Sequence, residues 1–235
     1  MNRNTFKVSF DEAFLVGDTF GTSHPQLLFI HGAGSSDRKR FEELRTLLAE
    51  KGISSSSFDF IGHGETGGSL AGSSLESRVA QASAVIDSQW VSRPLSIVAS
   101  SMGGYVAIKL TELYSVKDLI LVAPAVYDIK SYSVPFGPAF TKVIRSPLSW
   151  RDTDAWRILE NYKGNILVYG AEKDQVIPYE VIERIYDSAR NTRSKEVIMI
   201  KGAIHSLAKW LGERPDSLYQ IFEKISGLFK PDAKL

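Results

Sequence analysis

Short apolar segments alternate along the chain with longer segments that have a helical repeat. Residues 26–30 form an apolar run, which predicts a strand buried on both faces if it is central, and residues 95–99 and 116–123 predict two further strands. Residues 38–51 carry apolar side chains at helical spacing, and Gly52 follows as a typical helix-ending residue. This alternation predicts an α/β fold, a mostly parallel sheet with helices on both faces.

The same reasoning assigns the remaining elements. An opening hairpin is predicted for residues 5–10 and 13–16, helices for 74–90, 105–114, 178–189 and 216–229, and strands for 165–169 and 196–200. Residues 53–58 predict another strand, but it contains four consecutive serines. Such polarity is unusual inside a sheet, so a short edge segment is expected there.

After Pro124 the alternation stops, and residues 125–162 combine prolines and glycine with many aromatic side chains. We interpret this segment as a cap inserted over the sheet, with short helices around 138–145 and 153–162. Its rings are Tyr127, Tyr132, Phe136, Phe140, Trp150, Trp156 and Tyr162. An aromatic cap favours a substrate with a small apolar or aryl part, although any one ring could simply pack the cap onto the core. No linker divides the chain, so residues 1–235 are predicted to form a single domain.

Composition narrows the possible functions. Lys plus Arg is 28 and Asp plus Glu is 27, and this balance does not favour nucleic acid or an anionic membrane as a partner. The absence of cysteine excludes disulfides, thiolate zinc sites and a cysteine nucleophile. No apolar run has the length of a membrane span, and the first residues lack a signal-peptide pattern. A soluble cytoplasmic protein is expected.

The strongest chemical signal is the segment 98–104, Val-Ala-Ser-Ser-Met-Gly-Gly, between a predicted strand and a predicted helix. A sharp strand-to-helix turn exposes a serine hydroxyl above the sheet, and the crowded backbone requires small residues two positions before and after it. Ala99 and Gly103 meet that requirement around Ser101. Ser101 is therefore the candidate nucleophile, and the alternative is a serine that merely caps the helix.

Three further strand ends carry candidate groups. His31-Gly32-Ala33-Gly34 follows the first apolar strand, and such a turn can present a backbone N–H to an oxyanion. His31 itself is expected to be structural. Asp174 and His205 follow two later strands, which gives the order Ser, Asp, His along the chain. All these groups lie beyond the carboxyl ends of predicted strands, where open α/β sheets form their sites.

The sequence resembles the α/β-hydrolase superfamily, especially its small esterases, lysophospholipase-like enzymes and serine aminopeptidase-like members. The matching stretches are residues 31–34, 59–64 (Asp-Phe-Ile-Gly-His-Gly), 99–103, the turn at 170–174, and His205. The resemblance implies that Ser101 is the nucleophile, His205 the general base and acid, and Asp174 the group that orients the imidazole. It also implies that the backbone N–H groups of Ala33 and Met102 form the oxyanion hole.

Two departures and one ambiguity accompany this resemblance. Ala99 replaces the first glycine of the nucleophile motif, and Ile61 stands where many relatives have arginine. Neither puts a catalytic residue in doubt, and His63 is expected to be structural. Some family members carry the acid after the strand that follows the nucleophile helix, where Asp128 lies, but the turn around Asp174 is the better match.

These observations predict a serine hydrolase that cleaves a carboxylic ester of a small acyl or aryl substrate through an acyl-enzyme. A thioesterase, peptidase or C–C hydrolase could use the same triad, and a non-catalytic binding protein could keep the fold. No cofactor or metal is expected, and the partner is a small-molecule ester or related acyl compound. Oligomeric state is not predicted.

Overall fold

The computed structural model describes residues 2–89 and 94–229, and within them eight strands form one sheet. The strands are β1 (Arg3–Phe10), β2 (Ala13–Phe20), β3 (Leu27–Ile30), β4 (Ser55–Phe58), β5 (Leu95–Ser100), β6 (Val116–Val122), β7 (Asn165–Ala171) and β8 (Ser194–Ile200). Their order is β1-β2-β4-β3-β5-β6-β7-β8. The first two pairings are antiparallel and those from β4 to β8 are parallel, so the predicted mostly parallel sheet is confirmed.

Helices cover both faces of this sheet, as predicted. They are α1 (Glu42–Glu50), α2 (Leu75–Gln89), α3 (Met102–Leu113), α4 (Pro138–Ile144), α5 (Ala155–Asn161), α6 (Tyr179–Ser188), α7 (Leu207–Gly212) and α8 (Pro215–Gly227). Helices α2, α3, α5 and α6 contribute to the core on one face, and α1, α7 and α8 to the core on the other. The predicted end of the α2 helix at Trp90 lies outside the described residues.

The central strands are rich in apolar residues because both of their faces are covered. Successive side chains of a strand point to opposite faces. In β5, Ile97 enters the core beneath α2 and α3, whereas Val98 enters the core beneath α1 and α8. Leu121 and Val122 of β6 divide between the two cores in the same way. Because both faces are covered by helices, a strand of alternating polarity would bury unpaired polar groups here.

The expectation that the serine-rich strand lies at an edge is wrong. Strand β4 lies between β2 and β3, and all four of its residues are buried. Ser55 Oγ accepts a hydrogen bond from Arg45 Nε at 3.1 Å, and Ser57 Oγ donates to the Phe29 carbonyl at 3.0 Å. Buried hydroxyls are tolerated when they are hydrogen-bonded in this way. Their partners come from other elements and could not be identified from the strand itself.

A buried network of charges fixes the segment that leads from β3 into α1. Arg38 pairs with Asp18 at 3.0 Å and with Asp59, and Arg45 pairs with Asp18 at 2.6 Å. The Arg38 backbone N–H also donates to Asp59 at 2.7 Å. The arginines and aspartates of this network are almost completely buried. The network ties the loop after β3 to β2 and to the end of β4.

The insertion between β6 and β7 contains α4, α5 and two short 3-10 helices, Ile129–Ser131 and Ser149–Asp152. Its aromatic rings pack mainly against one another and against the core. Tyr127 contacts Tyr105 at 5.5 Å between ring centroids, and Phe136 contacts Phe140 at 4.9 Å. These rings therefore anchor the insertion, in agreement with the alternative that they pack the cap onto the core.

Among the described residues, no helix has the length and apolarity needed to cross a membrane. The cytoplasmic location expected from the composition stays a prediction.

Candidate active site

The site begins at the junction of β5 and α3, where Ser101 adopts φ +50° and ψ −120°. A positive φ is uncommon for any residue other than glycine, and such strain is often found at functional turns. Here the turn is held on both sides: the Ser101 N–H donates to the Val122 carbonyl at 3.1 Å. The Ser101 carbonyl accepts from the N–H groups of Gly104 at 2.8 Å and Ala125 at 3.0 Å. Neighbouring backbone thus maintains the strained conformation.

Close backbone contacts explain the glycines of the turn. A Cβ atom at Gly103 would lie 2.6 Å from the His31 carbonyl oxygen, and one at Gly104 would lie 2.8 Å from Pro124 Cβ. A Cβ at Gly32 would lie 3.1 Å from the Cβ of Ser101. The loop after β3 therefore lies directly against the Ser101 turn, which is the arrangement that the two glycine-rich motifs implied.

The structure brings the three predicted side chains together in one hydrogen-bonded chain. Ser101 Oγ lies 3.1 Å from His205 Nε2, and His205 Nδ1 lies 2.9 Å from Asp174 Oδ2. They come from the ends of β5, β8 and β7. The His205 side chain is 22% exposed and that of Asp174 is 7% exposed. This geometry allows a proton to pass from the hydroxyl to the imidazole while the carboxylate orients the ring.

The turn after β7 keeps Asp174 ionised. Burial raises the pKa of the Asp174 carboxyl, but hydrogen bonds from His205 and from the N–H groups of Ile177 and Val176 outweigh burial and lower it below its usual value. The two backbone donors lie 2.9 and 2.8 Å from Asp174 Oδ1. Asp128 has a different surrounding: its carboxylate accepts from the Lys130 N–H at 2.8 Å and caps a 3-10 helix.

The two backbone N–H groups expected to form the oxyanion hole belong to Ala33 and Met102. Neither donates to an acceptor within the described part of the protein. Met102 is the first residue of α3 and follows Ser101 directly, and Ala33 lines the same cavity as Ser101. Free amide donors at these positions can receive a developing oxyanion. Their role in catalysis remains a proposal.

His31 and His63, the other two histidines near the Ser101 turn, are buried and make hydrogen bonds to nearby backbone groups. His31 Nδ1 lies 2.7 Å from the Gly32 carbonyl, and its Nε2 accepts from the Phe60 N–H at 3.1 Å. Burial lowers the pKa of His31 to about 3, so the ring is neutral. His63 Nδ1 lies 2.9 Å from the Ser36 carbonyl. These contacts shape the loop after β3 and leave His205 to face Ser101.

A family model described as serine aminopeptidase, S33, matches residues 21–153, more than half of the chain. The chain belongs to this family of α/β-hydrolases. It is also similar to the lysophosphatidylserine lipases ABHD12 of Danio rerio, 26% identical over 199 residues, and of Gallus gallus, 27% identical over 195. The matches cover 75% of this chain and 50% of each lipase, so the chain spans about half the length of these relatives.

Solved structures agree on the fold of this S33 family member. The thioesterase domain from the curacin biosynthetic pathway superimposes with a TM-score of 0.72 at 16% identity, covering 96% of this chain and 99% of that one. A monoacylglycerol lipase from Paleococcus ferrophilus gives a TM-score of 0.71 at 21% identity, covering 91% and 98%. At these identities the likeness establishes the α/β-hydrolase fold and leaves the substrate open.

In this S33 family member, a small cavity of about 70 Å³ lies beside the serine. Its walls come from the loop after β3, from Ser100 and Val122 at two strand ends, and from residues 205–208. Although residues 125–162 are all described, none of them lines this cavity. The immediate surroundings of the Ser101 hydroxyl are thus formed by strand-end loops, on the α1 and α7 side of the sheet.

Sequence reasoning missed Arg40, which lines the same cavity. The run Arg38-Lys39-Arg40 after the glycine-rich turn was the available signal. A run of three cations is usually a solvated surface, and nothing in the sequence distinguishes the arginine that faces the site. Within the described residues, no group of three metal-binding side chains is close enough to hold a metal ion.

Proposed function

We propose that the protein is a serine hydrolase that cleaves a carboxylic ester of a small acyl or aryl substrate. The observation that carries this proposal is the continuous hydrogen-bonded chain from Ser101 through His205 to Asp174, beside two free amide N–H groups. Family membership supports a hydrolase, and the similarity to proteins named as lipases supports an ester as substrate.

Acylation follows from this arrangement. Ser101 Oγ attacks the ester carbonyl carbon while its proton moves to His205 Nε2. The carbonyl oxygen becomes an oxyanion, which accepts hydrogen bonds from the Ala33 and Met102 N–H groups. His205 then gives its proton to the leaving alcohol oxygen as the carbon–oxygen bond breaks. Asp174 accepts the Nδ1 hydrogen bond throughout and stabilises the imidazolium.

Deacylation repeats these steps with water as the nucleophile. His205 Nε2 takes a proton from water as the water oxygen attacks the acyl carbon, and the proton returns to Ser101 Oγ when the acid leaves. Each oxyanion donor is expected to contribute on the order of 10²- to 10³-fold to the rate. These donors are backbone groups, so their geometry depends on Gly32 and on the strained turn at Ser101.

The test uses a fluorophosphonate probe together with 4-nitrophenyl acetate and butyrate. The wild-type protein should be labelled and should hydrolyse both esters. Ser101→Ala should lose labelling and lower kcat by roughly 10⁴-fold or more, because the nucleophile is removed. A wild type that neither labels nor hydrolyses an ester would refute the hydrolase, and labelling of Ser101→Ala would refute the nucleophile. A panel of matched thioesters and aminoacyl amides identifies the preferred acyl linkage.

A further inference from the structure

We propose that Arg40 binds an anionic group of the substrate, a carboxylate or a phosphate, and thereby selects negatively charged esters. This inference rests on the proposed ester hydrolase and adds a substrate class to it.

The position of Arg40 links the serine to a larger space. Arg40 lines the small cavity that contains Ser101 and His205, and it also lines an adjoining groove of about 780 Å³. Val122 and Ala208 are likewise shared by the two spaces. A substrate that extends from the serine into the groove would therefore pass the Arg40 side chain.

Arg40 differs from the two cations that precede it. Arg38 is bound by carboxylates in the buried network, and Lys39 pairs with Glu65 at 3.2 Å. Arg40 Nε donates to Ser36 Oγ at 3.1 Å, and Arg40 forms no ion pair with any residue that the structure describes. The Nη donors of its guanidinium are therefore available, while the bond to buried Ser36 fixes the base of the fork.

The charge around the cavity favours an anion at this point. Among the described residues, no carboxylate lines the small cavity, and Arg40 is the guanidinium in its lining. The acidic residues Asp37, Glu42 and Glu43 line only the outer groove. Lys39 and Lys209 also line that groove and offset its acidic residues, so an anionic substituent is attracted to the inner end, where Arg40 is the cation. The planar fork of arginine matches the paired oxygens of a carboxylate or phosphate.

The experiment measures the ratio of kcat/KM for an anionic ester to that for a neutral ester of similar size. One arm places the charge on the acyl half, with mono-4-nitrophenyl glutarate against 4-nitrophenyl butyrate. A second arm places it on the alcohol half, with 4-acetoxybenzoate against phenyl acetate. In at least one arm Arg40→Gln should lower the ratio about tenfold or more, because a charge-assisted hydrogen bond is lost.

Two variants control for charge and position. Arg40→Lys keeps the charge without the fork and should retain an intermediate ratio. Lys51→Gln removes an exposed cation at the end of α1, which lines neither space, and should keep the wild-type ratio within about twofold. Inhibition by glutarate and by inorganic phosphate gives a second readout, and in Arg40→Gln the inhibition constant of the bound anion should rise about tenfold.

This inference is overturned if Arg40→Gln changes kcat/KM equally for the anionic and the neutral ester in both arms and leaves the inhibition constants unchanged. That outcome differs from failure of the proposed function, in which wild-type protein would neither react with the fluorophosphonate nor hydrolyse any of the four esters.

Discussion

Two clusters of charged and titratable side chains lie close to the loop after β3, and they differ in how completely their charges are paired. In the triad, one carboxylate faces one imidazole, and the His205 side chain remains 22% exposed. In the network around Asp18, three arginines converge on one carboxylate; Asp18, Arg38 and Arg45 are only 1% exposed, and Arg3 at the edge is 35% exposed. The imidazole of the first cluster is open to solvent, whereas the carboxylate at the centre of the second is enclosed by arginines.

Because of this difference, we expect the triad to determine activity and the network around Asp18 to determine stability. Burial raises the pKa of Asp18, but Arg45, Arg38 and Arg3 outweigh burial and hold it below its usual value. The network thus carries fixed charges that tie the loop after β3 to β2 and to the end of β4. The triad depends on this positioning, because Gly32 lies against Ser101. Changes in the triad should abolish chemistry and preserve the fold, whereas changes in the network should lower the stability of the fold.

The largest expected effect comes from breaking the triad at its acid. Asp174→Asn should lower kcat for 4-nitrophenyl butyrate by roughly 10⁴-fold, because an amide no longer stabilises the imidazolium or selects its tautomer. Asp128→Asn is the matched control and should retain activity, since its carboxylate caps a 3-10 helix. Urea unfolding should show both variants folded. Loss of activity in Asp128→Asn alone would assign the acid to that residue instead.

The next effect comes from breaking the buried network. Asp18→Asn leaves Arg45 and Arg38 without their shared carboxylate, so unfolding free energy should fall by about 3–5 kcal/mol in urea titrations. Glu12→Gln, an exposed carboxylate on the β1–β2 turn, should change it by less than about 0.5 kcal/mol. Arg3→Gln should fall between them, because Arg3 is partly exposed. A loss below about 1 kcal/mol for Asp18→Asn would contradict the importance assigned to this network.

Acidic pH should lower the stability of the protein through His31, the buried neutral histidine of the loop after β3. His31 keeps a pKa of about 3 in the folded state, so below its ordinary value near 6.5 the unfolded chain binds a proton that the folded chain does not. Stability should therefore fall as pH falls from 6.5 towards 3, by up to about 1.4 kcal/mol per pH unit.

The measurement compares urea unfolding of wild type and His31→Gln at pH 7, 6, 5 and 4.5. The variant should lack this part of the pH slope, whereas His24→Gln, which alters an exposed histidine, should retain it. Parallel slopes for wild type and His31→Gln would show that the buried ring does not resist protonation.

The smallest effect should come from a buried cation that has no carboxylate. Arg78 is fully buried, its Nε and Nη2 have no hydrogen-bond partner in the part of the chain that the structure describes, and burial lowers its pKa to about 10. It contacts the rings of Phe60 and Phe136 at 5.0 and 5.3 Å. Arg78→Met should change the unfolding free energy by less than about 1 kcal/mol, or raise it, because an uncompensated charge is removed. A loss above about 2 kcal/mol would mean that Arg78 is stabilising despite its lack of a carboxylate.

Much of the fold was predictable because its central strands are apolar on both faces. Residues 26–30 could be assigned as a strand buried on both faces and residues 95–99 and 116–123 as further strands, and they correspond to β3, β5 and β6. The serine-rich β4 was misplaced because its hydroxyl groups are satisfied by Arg45 and by the β3 backbone, which are distant in sequence. Helix α7 was missed because its six residues are too few to show a clear helical repeat.

The sequence alone determined the fold class and the three side chains of the triad, because strand ends, glycine-rich turns and the order Ser, Asp, His are local features. Only the tertiary structure decided which charges are paired. Asp18, Arg38 and Arg45 look like ordinary polar residues in the sequence and become a closed network only when β2 and α1 pack together. Arg40 lies two residues after Arg38 in the chain, yet it lines the serine cavity and is not part of the network, because pairing depends on the space around each side chain.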